Sequence, residues 1–220
     1  MVKLKEAFSW PVVKWYKHFY LNIITKKVKW MGVTTCKNPL DAWVYQEIIY
    51  SVKPRVIVEI GSAYGGSTLF FANMLDLMVK SGTVVSIDND RKLWKLPRDF
   101  HPRIVMLTGD SLDPKIVSKT RRLCEGKRTL VIHDGDHNYE HVLADLRAYA
   151  DMVSVGSYLV VEDGIIDMLG PKVFYTFKGK RGPLPAIEQF IGERDDFVID
   201  EARQKFVLTW SPKGFLRRKR

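Results

Sequence analysis

The sequence predicts an α/β fold of the Rossmann-like kind, with a mostly parallel seven-stranded sheet that ends in an antiparallel C-terminal hairpin. Short runs of β-branched residues alternate with longer segments of helical period, which is the pattern of parallel strands covered by helices on both faces. Acidic, glycine and small polar residues follow most of these runs directly. Turns of that composition, at the carboxyl ends of parallel strands, are where doubly wound domains bind their ligands.

The stretch RVIVEIGSAYGGSTL, residues 55–69, is the clearest strand–turn–helix unit. Its glycine turn lets the backbone approach a ligand, and the helix that follows directs its first N–H groups at the same ligand. The glycine spacing is neither that of dinucleotide enzymes nor that of a P-loop. An acid before the first glycine would repel pyrophosphate, but it suits the cationic amine and sulfonium of S-adenosylmethionine. We expect cofactor contacts from Glu59, Gly61, Ser62, Gly65, Gly66 and Ser67. The alternative is a unit with a structural role alone.

The second and third strands are predicted at residues 83–87 and 103–107. The second ends in Asp88-Asn89-Asp90, where a carboxylate can accept hydrogen bonds from both ribose hydroxyls. Asp88 is the first choice for this role, and Asp90 is its substitute. The third strand ends in a turn with Asp110 and Ser111, which lies next to the adenine site in this topology. Ser111 would also serve as the N-cap of the next helix, which is its structural interpretation.

The fourth and fifth strands, predicted at residues 129–133 and 156–161, end in acids. Because these strands should be neighbours, Asp134 should converge with Glu162 and Asp163. Carboxylates gathered in one place repel one another unless a cation lies between them. Oxygen ligands without cysteine favour a hard divalent ion, Mg²⁺ first and Mn²⁺ or Ca²⁺ next. Charge alone leaves open whether Asp134 or Asp136 is the ligand, and whether these acids simply face solvent.

His137 follows Asp134 by three residues, one turn away and on the side of the expected metal. An unperturbed imidazole has a pKa of roughly 6.5, which suits proton abstraction near neutral pH. We therefore expect His137 to be the catalytic base, the alternative being a capping or supporting histidine. His133 lies on the strand itself and should face the core.

Composition describes a globular chain of 220 residues, 46% of them hydrophobic, which is enough for one domain with short additions. Two cysteines provide neither a disulfide framework nor zinc-ligand spacing, so we expect a reducing, cytoplasmic compartment. The formal net charge of +10 comes largely from the chain ends. We divide the chain into a basic amphipathic segment (residues 1–38), a ligand-binding domain (39–211) and a basic tail (212–220).

Residues 12–24 place apolar side chains at a helical period, with Lys14, Lys17 and His18 mostly on the other side. Such a helix either lies on an anionic membrane surface, as a peripheral protein at the inner face, or packs on its own domain or a second subunit. A membrane surface and a homo-oligomer are therefore both candidate partners. Nucleic acid is not expected, because no recognition motif accompanies the basic ends.

The chain beyond the fifth strand contains a basic, aromatic loop at residues 171–181. It follows that strand on the ligand-binding face, so we expect it to act as a substrate lid. A Gly-Pro-Leu-Pro run from Gly182 closes the loop and begins a helix. Residues 197–199 and 205–210 are predicted to pair as the final antiparallel hairpin.

Several motifs in order resemble the cephalosporin hydroxylase and rhamnosyl O-methyltransferase family, over roughly residues 39–191. They are Pro-Leu-Asp-x-Trp-x-Tyr-Gln-Glu from Pro39, Glu-Ile-Gly-x-x-x-Gly-Gly-Ser from Glu59, Asp-Gly-Asp-His-x-Tyr from Asp134, Val-Glu-Asp from Val161 and Gly-Pro-x-Pro-Ala-Ile-Glu from Gly182. The resemblance implies a class I methyltransferase fold that binds S-adenosylmethionine and Mg²⁺. It also implies that Asp134, Glu162 and Asp163 are the metal ligands and that His137 is the base. This chooses Asp134 over Asp136. We also expect Asp134 to contact the cofactor.

The implied function is Mg²⁺-dependent transfer of a methyl group from S-adenosylmethionine to a hydroxyl of a sugar, glycolipid or other glycoconjugate. A small secondary metabolite or a lipid is the alternative acceptor. Two functions of other classes are also considered. A nicotinamide-dependent Rossmann enzyme conflicts with the glycine spacing, and a non-catalytic adaptor on a membrane surface leaves the acids and histidine without a purpose.

Overall fold

The computed structural model describes residues 11–97, 99–169 and 181–220. Two short strands, β1 (Lys29–Trp30) and β2 (Val33–Thr34), form a hairpin outside the main sheet. Within the described residues the main sheet has seven strands: β3 (Val56–Ile60), β4 (Thr83–Asp88), β5 (Ile104–Thr108), β6 (Thr129–His133), β7 (Tyr158–Val161), β8 (Phe197–Ile199) and β9 (Phe215–Arg218).

The order across the sheet is β5-β4-β3-β6-β7-β9-β8. β5, β4, β3, β6 and β7 run parallel, whereas β9 pairs antiparallel with both β7 and β8. The strand order reverses next to β3, so a crevice opens between the carboxyl ends of β3 and its neighbours. The predicted fold, a mostly parallel seven-stranded sheet with antiparallel C-terminal strands, is confirmed.

Helices cover both faces of this sheet, as the unbroken apolar strands require. They are α1 (Val12–His18), which continues through a π-helical segment (Phe19–Ile24) into α2 (Thr25–Lys27), then α3 (Pro39–Val52), α4 (Gly66–Met78), α5 (Pro114–Cys124), α6 (Tyr139–Tyr149), α7 (Ile165–Leu169) and α8 (Pro183–Glu193). Along β3, Val56, Val58 and Ile60 pack with α6 and α8, while Ile57 packs with α3 and α4. The period-two alternation of the strand therefore builds one core on each face.

The N-terminal helical segment, residues 12–27, packs on its own domain. Tyr16, Tyr20 and Ile24 are buried in a small core with Ile165 and Trp210. The Tyr16 hydroxyl also donates a 2.7 Å hydrogen bond to the carbonyl of Thr209. The predicted amphipathic helix is thus present, and this part of its apolar face is covered by the same chain. No helix among the described residues is both long and apolar enough to cross a bilayer.

The last strand lies further along the chain than predicted. Residues 205–210 were expected to pair with β8, but β9 does so instead. Val207 has a left-handed backbone φ of 64° and an 82% exposed side chain, so its segment does not suit an inner strand. Phe215 and Leu216 of β9 are fully buried. The prediction for 205–210 is wrong, and the residues assigned to a basic tail include a strand inserted between β7 and β8.

Two predicted features lie largely outside the described residues. Most of the proposed substrate lid, residues 171–181, belongs to the part of the chain that is not described, and so do the first ten residues of the basic N-terminal segment. The helix predicted after the lid is present as α8.

Asp41 in the first turn of α3 fixes the chain segment that precedes β9. It is 4% exposed, and its two carboxylate oxygens accept from the Thr209 hydroxyl at 2.6 Å and from the Trp210 amide at 2.8 Å. Replacing Asp41 by Ala leaves both buried donors without an acceptor. We expect Asp41→Ala to lower the free energy of unfolding by about 1–3 kcal/mol, measured by urea denaturation at pH 7.

A matched control is Glu188→Ala, which removes a carboxylate from a half-exposed ion pair with Lys213. Exposed pairs contribute little to stability, so its urea midpoint should stay close to that of the wild type. Equal midpoint shifts in the two variants would contradict the role given to Asp41.

Candidate functional site

A cavity of about 450 Å³ lies at the carboxyl ends of the parallel strands. Asp88 and Ser111 line it at the end formed by β4 and β5, and Asp134, His137 and Asp163 line it at the end formed by β6 and β7. It therefore joins two of the predicted sites: the place expected for a nucleoside and the place expected for a metal.

Two glycines of the turn after β3 are required by close packing. Gly61 has a φ of 84°, and a Cβ there would collide with the backbone carbonyl of Asp134. A Cβ on Gly66 would likewise meet the carbonyl of Thr34. These positions hold the β3 turn against the β6 turn and the β1–β2 hairpin against the start of α4, so their first role is to assemble the walls of the cavity.

Glu59 at the end of β3 is completely buried, and the hydroxyl of Thr68 donates to its Oε2. Among the described residues its Oε1 has no hydrogen-bond partner. Burial raises the pKa of Glu59 to about 7, although Lys37 and the hydroxyls of Ser67 and Thr68 oppose the increase. Glu59 is not among the residues that line the cavity, although its neighbours Ile60 and Gly61 are, so a cationic ligand there would act on this buried acid through its charge.

The acids after β4 and β5 separate into cavity and surface positions. Asp88 lines the cavity, and its Oδ2 accepts from the amides of Ser62 at 3.0 Å and Ala63 at 2.8 Å. Asp90, the substitute, is exposed and accepts from the amide of Lys92. After β5, Ser111 lines the cavity. Asp110 does not line it, and its Oδ1 accepts a hydrogen bond from the amide of Leu112.

The tips of β6 and β7 bring three groups together that are suited to a metal. Ligand atoms of Asp134, His137 and Asp163 all lie within 4.8 Å of one another. Nε2 of His137 is 3.1 Å from Oδ2 of Asp163. Asp136 stays outside this group: it is exposed and accepts from the amide of Asn138. His133 is fully buried and faces Asp145 at 3.0 Å, in the core as expected.

Glu162, the third predicted ligand, points away from that group toward Lys37 and Tyr45. Its Oε1 accepts from Nζ of Lys37 at 2.7 Å and from the hydroxyl of Tyr45 at 2.6 Å. Nζ of Lys37 is also 2.5 Å from Oδ2 of Asp134. Sequence reasoning missed Lys37, because in the sequence it is one of many lysines in a basic N-terminal segment and nothing there marks it as buried.

The acidic cluster, which consists of Asp134, Glu162 and Asp163, has more carboxylates than the one lysine that pairs with it. Burial raises the pKa of Asp134, Glu162 and Asp163, and the carboxylates raise one another further, while Lys37 and His137 oppose the increase. For Lys37, burial alone would lower the pKa, but Asp134 and Glu162 outweigh it and the pKa is raised. The lysine is therefore charged, and the cluster still has capacity for another cation.

Residues outside the predicted site motifs supply a further wall of the cavity, which the sequence did not indicate. Tyr20, Cys36 and Trp210 line the cavity beside the acidic cluster. The Tyr20 hydroxyl donates to Oδ1 of Asp163 at 3.1 Å, and its ring lies 4.0 Å from that of Trp210. Burial raises the pKa of the Cys36 thiol to about 11, so it stays a neutral thiol rather than a nucleophile.

Comparison with known proteins now identifies the family. The family described as Rhamnosyl O-methyltransferase/CmcI matches residues 22–219. The chain belongs to this family. It is 36% identical over 213 residues to a rhamnosyl O-methyltransferase of Mycobacterium leprae, which covers 94% of this chain and 90% of that protein. It is 35% identical over 208 residues to one of Mycobacterium tuberculosis H37Rv, covering 92% and 83%.

Solved structures agree on the fold of this rhamnosyl O-methyltransferase/CmcI family member. A CmcI structure described as Mg-SAM is similar with a TM-score of 0.67 at 23% identity, covering 88% of this chain and 77% of that one. An O-methyltransferase from Bacillus cereus in complex with SAH is similar with a TM-score of 0.54 at 17% identity, covering 73% and 72%. The resemblance expected from the motifs and the class of enzyme, an O-methyltransferase, are confirmed.

Proposed function

We propose that this protein transfers a methyl group from S-adenosylmethionine to a hydroxyl of a sugar-bearing acceptor, with a divalent metal, Mg²⁺ first, at the acidic cluster. The observation that carries the proposal is the continuous cavity that joins Asp88 and Ser111 to Asp134, His137 and Asp163. A cofactor in the first part and an acceptor beside the second would meet within one continuous cavity. Relatives named rhamnosyl O-methyltransferase make a rhamnosyl group the first acceptor to test.

The residues present fit the cofactor. The orphaned oxygen of buried Glu59 suits the amine of S-adenosylmethionine, and Asp88 suits the ribose hydroxyls. Gly61, Ser62, Gly65, Gly66 and Ser67 would form the turn beneath it. Ser111 would border the adenine, and Asp134 would separate cofactor from metal. Asp110 supports the turn from outside the cavity.

The residues also fit a hard divalent ion. Asp134 and Asp163 would hold the ion with their carboxylates, which lie in one compact group with His137. Glu162, the third ligand implied by the family resemblance, shares Lys37 with Asp134. Oxygen ligands with no cysteine among them favour Mg²⁺ or Mn²⁺ over softer metals. Held by these residues, the ion would supply Lewis-acid chemistry that makes a hydroxyl of the acceptor more acidic.

His137 would act as the base of the reaction. Its Nε2 is 3.1 Å from the carboxylate of Asp163, which orients the ring and stabilises the positive charge that the ring acquires with the acceptor proton. Tyr20 holds the other oxygen of Asp163 at 3.1 Å, so the carboxylate stays in place as the proton moves. When bound, S-adenosylmethionine supplies the methyl group on a positively charged sulfur, and the cavity walls of this chain supply the alignment that the transfer needs.

The acceptor would enter beside Tyr20 and Trp210. Their rings lie 4.0 Å apart at the edge of the acidic cluster and are 4% and 2% exposed, so they would shape the wall of the cavity beside the acceptor rather than offer it an open stacking surface. Asp134 and Asp163 provide acceptors for its hydroxyl groups. A glycolipid acceptor would also suit the basic character of the N-terminal segment, whose exposed lysines Lys26 and Lys27 follow directly after the cavity residue Thr25.

Contact with an anionic membrane surface is proposed for that N-terminal face alone. Tyr20 joins the helical segment to Asp163 at the carboxyl ends of the parallel strands. Arg217 pairs with Tyr158 at the opposite, amino end of β7. Lys26 and Lys27 thus lie near the end of the sheet that carries the cavity and Arg217 lies at the opposite end, so a flat surface that meets the two lysines would not meet Arg217.

The base assignment predicts that His137→Ala lowers the turnover number by about 10²–10⁴-fold with a rhamnosyl acceptor, because general base catalysis contributes rate enhancements of that order. The measurement is methyl transfer from labelled S-adenosylmethionine, with binding of S-adenosylhomocysteine checked in the same variant. His101→Ala is the control and should leave turnover unchanged, since His101 pairs with Asp76 at 2.9 Å and does not line the cavity. Undiminished turnover in His137→Ala would show that another group takes the proton.

The role of Glu59 predicts a pH dependence of cofactor binding. With a pKa raised to about 7, Glu59 is ionised at pH 8 and mostly protonated at pH 6, so its attraction for a cationic amine is lost as the pH falls. We expect the affinity for S-adenosylhomocysteine, measured by calorimetry, to drop about tenfold between pH 8 and pH 6. Glu59→Gln should show a flat profile, and Asp90→Asn, outside the cavity, should follow the wild type. A flat wild-type profile would contradict this role.

The membrane proposal predicts which lysines matter. In sedimentation with vesicles that contain anionic lipid, Lys26→Glu/Lys27→Glu should lower the bound fraction, because these lysines lie on the face next to the cavity. Arg121→Glu/Arg122→Glu makes the same change of charge at the far edge, in the last turn of α5, and should leave binding unchanged. Equal losses in both variants would indicate unspecific attraction.

A further inference from the structure

Lys37 lies inside the acidic cluster rather than at its edge. Its side chain is 2% exposed, with Nζ 2.5 Å from Oδ2 of Asp134 and 2.7 Å from Oε1 of Glu162. An ammonium so completely removed from water is stable only when anionic partners compensate for its lost hydration. Asp134 and Glu162 provide that compensation from the tips of two adjacent strands. Lys37 therefore balances charge that sequence reasoning assigned to a metal alone.

The backbone on both sides of Lys37 is held in place. Before it, Thr34 and Thr35 lie against Gly66, where a Cβ would collide with them, and Cys36 adopts a left-handed φ of 51°. After it, the Asn38 side chain accepts from the amide of Leu40 as the N-cap of α3 and donates to the carbonyl of Leu208. The ammonium is thus delivered by fixed chain segments and not by a lysine that swings freely from solvent.

A divalent ion attracted to this cluster meets carboxylates that already hold a cation. Asp134 belongs both to the compact ligand group and to the Lys37 ion pair. Two cations that share one carboxylate in a site screened from water repel each other strongly. Any gain from binding the metal is therefore reduced by the loss or weakening of the contacts of Lys37.

We propose that Lys37 is a built-in cation that competes with the divalent metal for Asp134 and Glu162. The inference rests on the proposed function, which brings a divalent ion to this cluster. In the metal-free protein Lys37 keeps the buried carboxylates together, and in the metal-bound protein its charge weakens the affinity for the ion. The carboxylates then remain assembled whether or not the metal is present.

The test compares Mn²⁺ binding to the full chain in wild type and Lys37→Met, by electron paramagnetic resonance of free Mn²⁺ at pH 8. We expect the dissociation constant to be at least tenfold lower in Lys37→Met. Without metal this variant should unfold at a lower temperature than the wild type, and Mn²⁺ should raise its Tm by more, because tighter binding stabilises the native state further. Lys37→Arg, which keeps the charge, should bind Mn²⁺ as the wild type does.

Lys205→Met is the matched control, since it makes the same substitution at a more exposed lysine that pairs with Glu47 at 2.5 Å. It should change neither Mn²⁺ affinity nor the metal-induced rise in Tm. If Lys37→Met does not fold without metal, Lys37→Gln, which keeps a hydrogen-bond donor for both carboxylates, replaces it in the same comparison.

The outcomes separate this inference from the proposed function. Equal Mn²⁺ dissociation constants in wild type and Lys37→Met would overturn the competition by Lys37 and leave the metal role standing. Mn²⁺ binding by Lys37→Met but not by the wild type would support the competition. Binding by neither would overturn both, and weaker binding by Lys37→Met would overturn the competition in favour of a lysine that organises the ligands.

Discussion

The parallel pairing of β6 with β7 is the constraint on which the site depends. His133 is in register with Val161, so the residues that follow them, Asp134 and Glu162, leave the sheet side by side. Asp163 then takes a left-handed φ of 62°, a conformation that Asp tolerates better than most residues. This turn sends Glu162 toward Lys37 and Tyr45, and Asp163 toward His137 and Tyr20. Neighbouring acids in the sequence therefore have different partners.

Charge in the cluster follows from that geometry. Removing three carboxylates from water is unfavourable unless cations and hydrogen-bond donors replace the solvent. The chain provides Lys37 and His137 as charged or chargeable partners, and Tyr20 and Tyr45 as neutral donors. These partners come from the segment before β3 and from the turn after β6. A site formed at strand tips is thus completed by residues distant in sequence, which ties its electrostatics to the packing of the N-terminal segment.

The N-terminal helical segment (residues 12–27) and the last strand are parts of the folded unit as much as the motif-bearing middle. Tyr20 and Cys36 line the cavity, Trp210 closes it from the other end of the chain, and Phe215 completes the core under α3 and α4. The family match agrees, since it extends over residues 22–219 and so beyond the motifs themselves. Of the described basic residues, Lys26 and Lys27 nevertheless lie near the cavity and Arg217 lies at the opposite end of the strands, because β9 runs antiparallel to its neighbours.

The sequence by itself determined the class of fold, the parallel strands and the residues at their tips, because those depend on local patterns of period, glycine and acid. It also distinguished His133 in the core from His137 at the cavity. Only the tertiary structure decided the partner of Glu162, the place of Lys37 and the identity of the last strand. Each of these depends on contacts between segments far apart in the chain. A buried lysine has the same local sequence pattern as an exposed one. Residues 205–210 have the local pattern of a strand, but the Trp210 amide donates to Asp41 and β9 occupies the position beside β8 in the sheet.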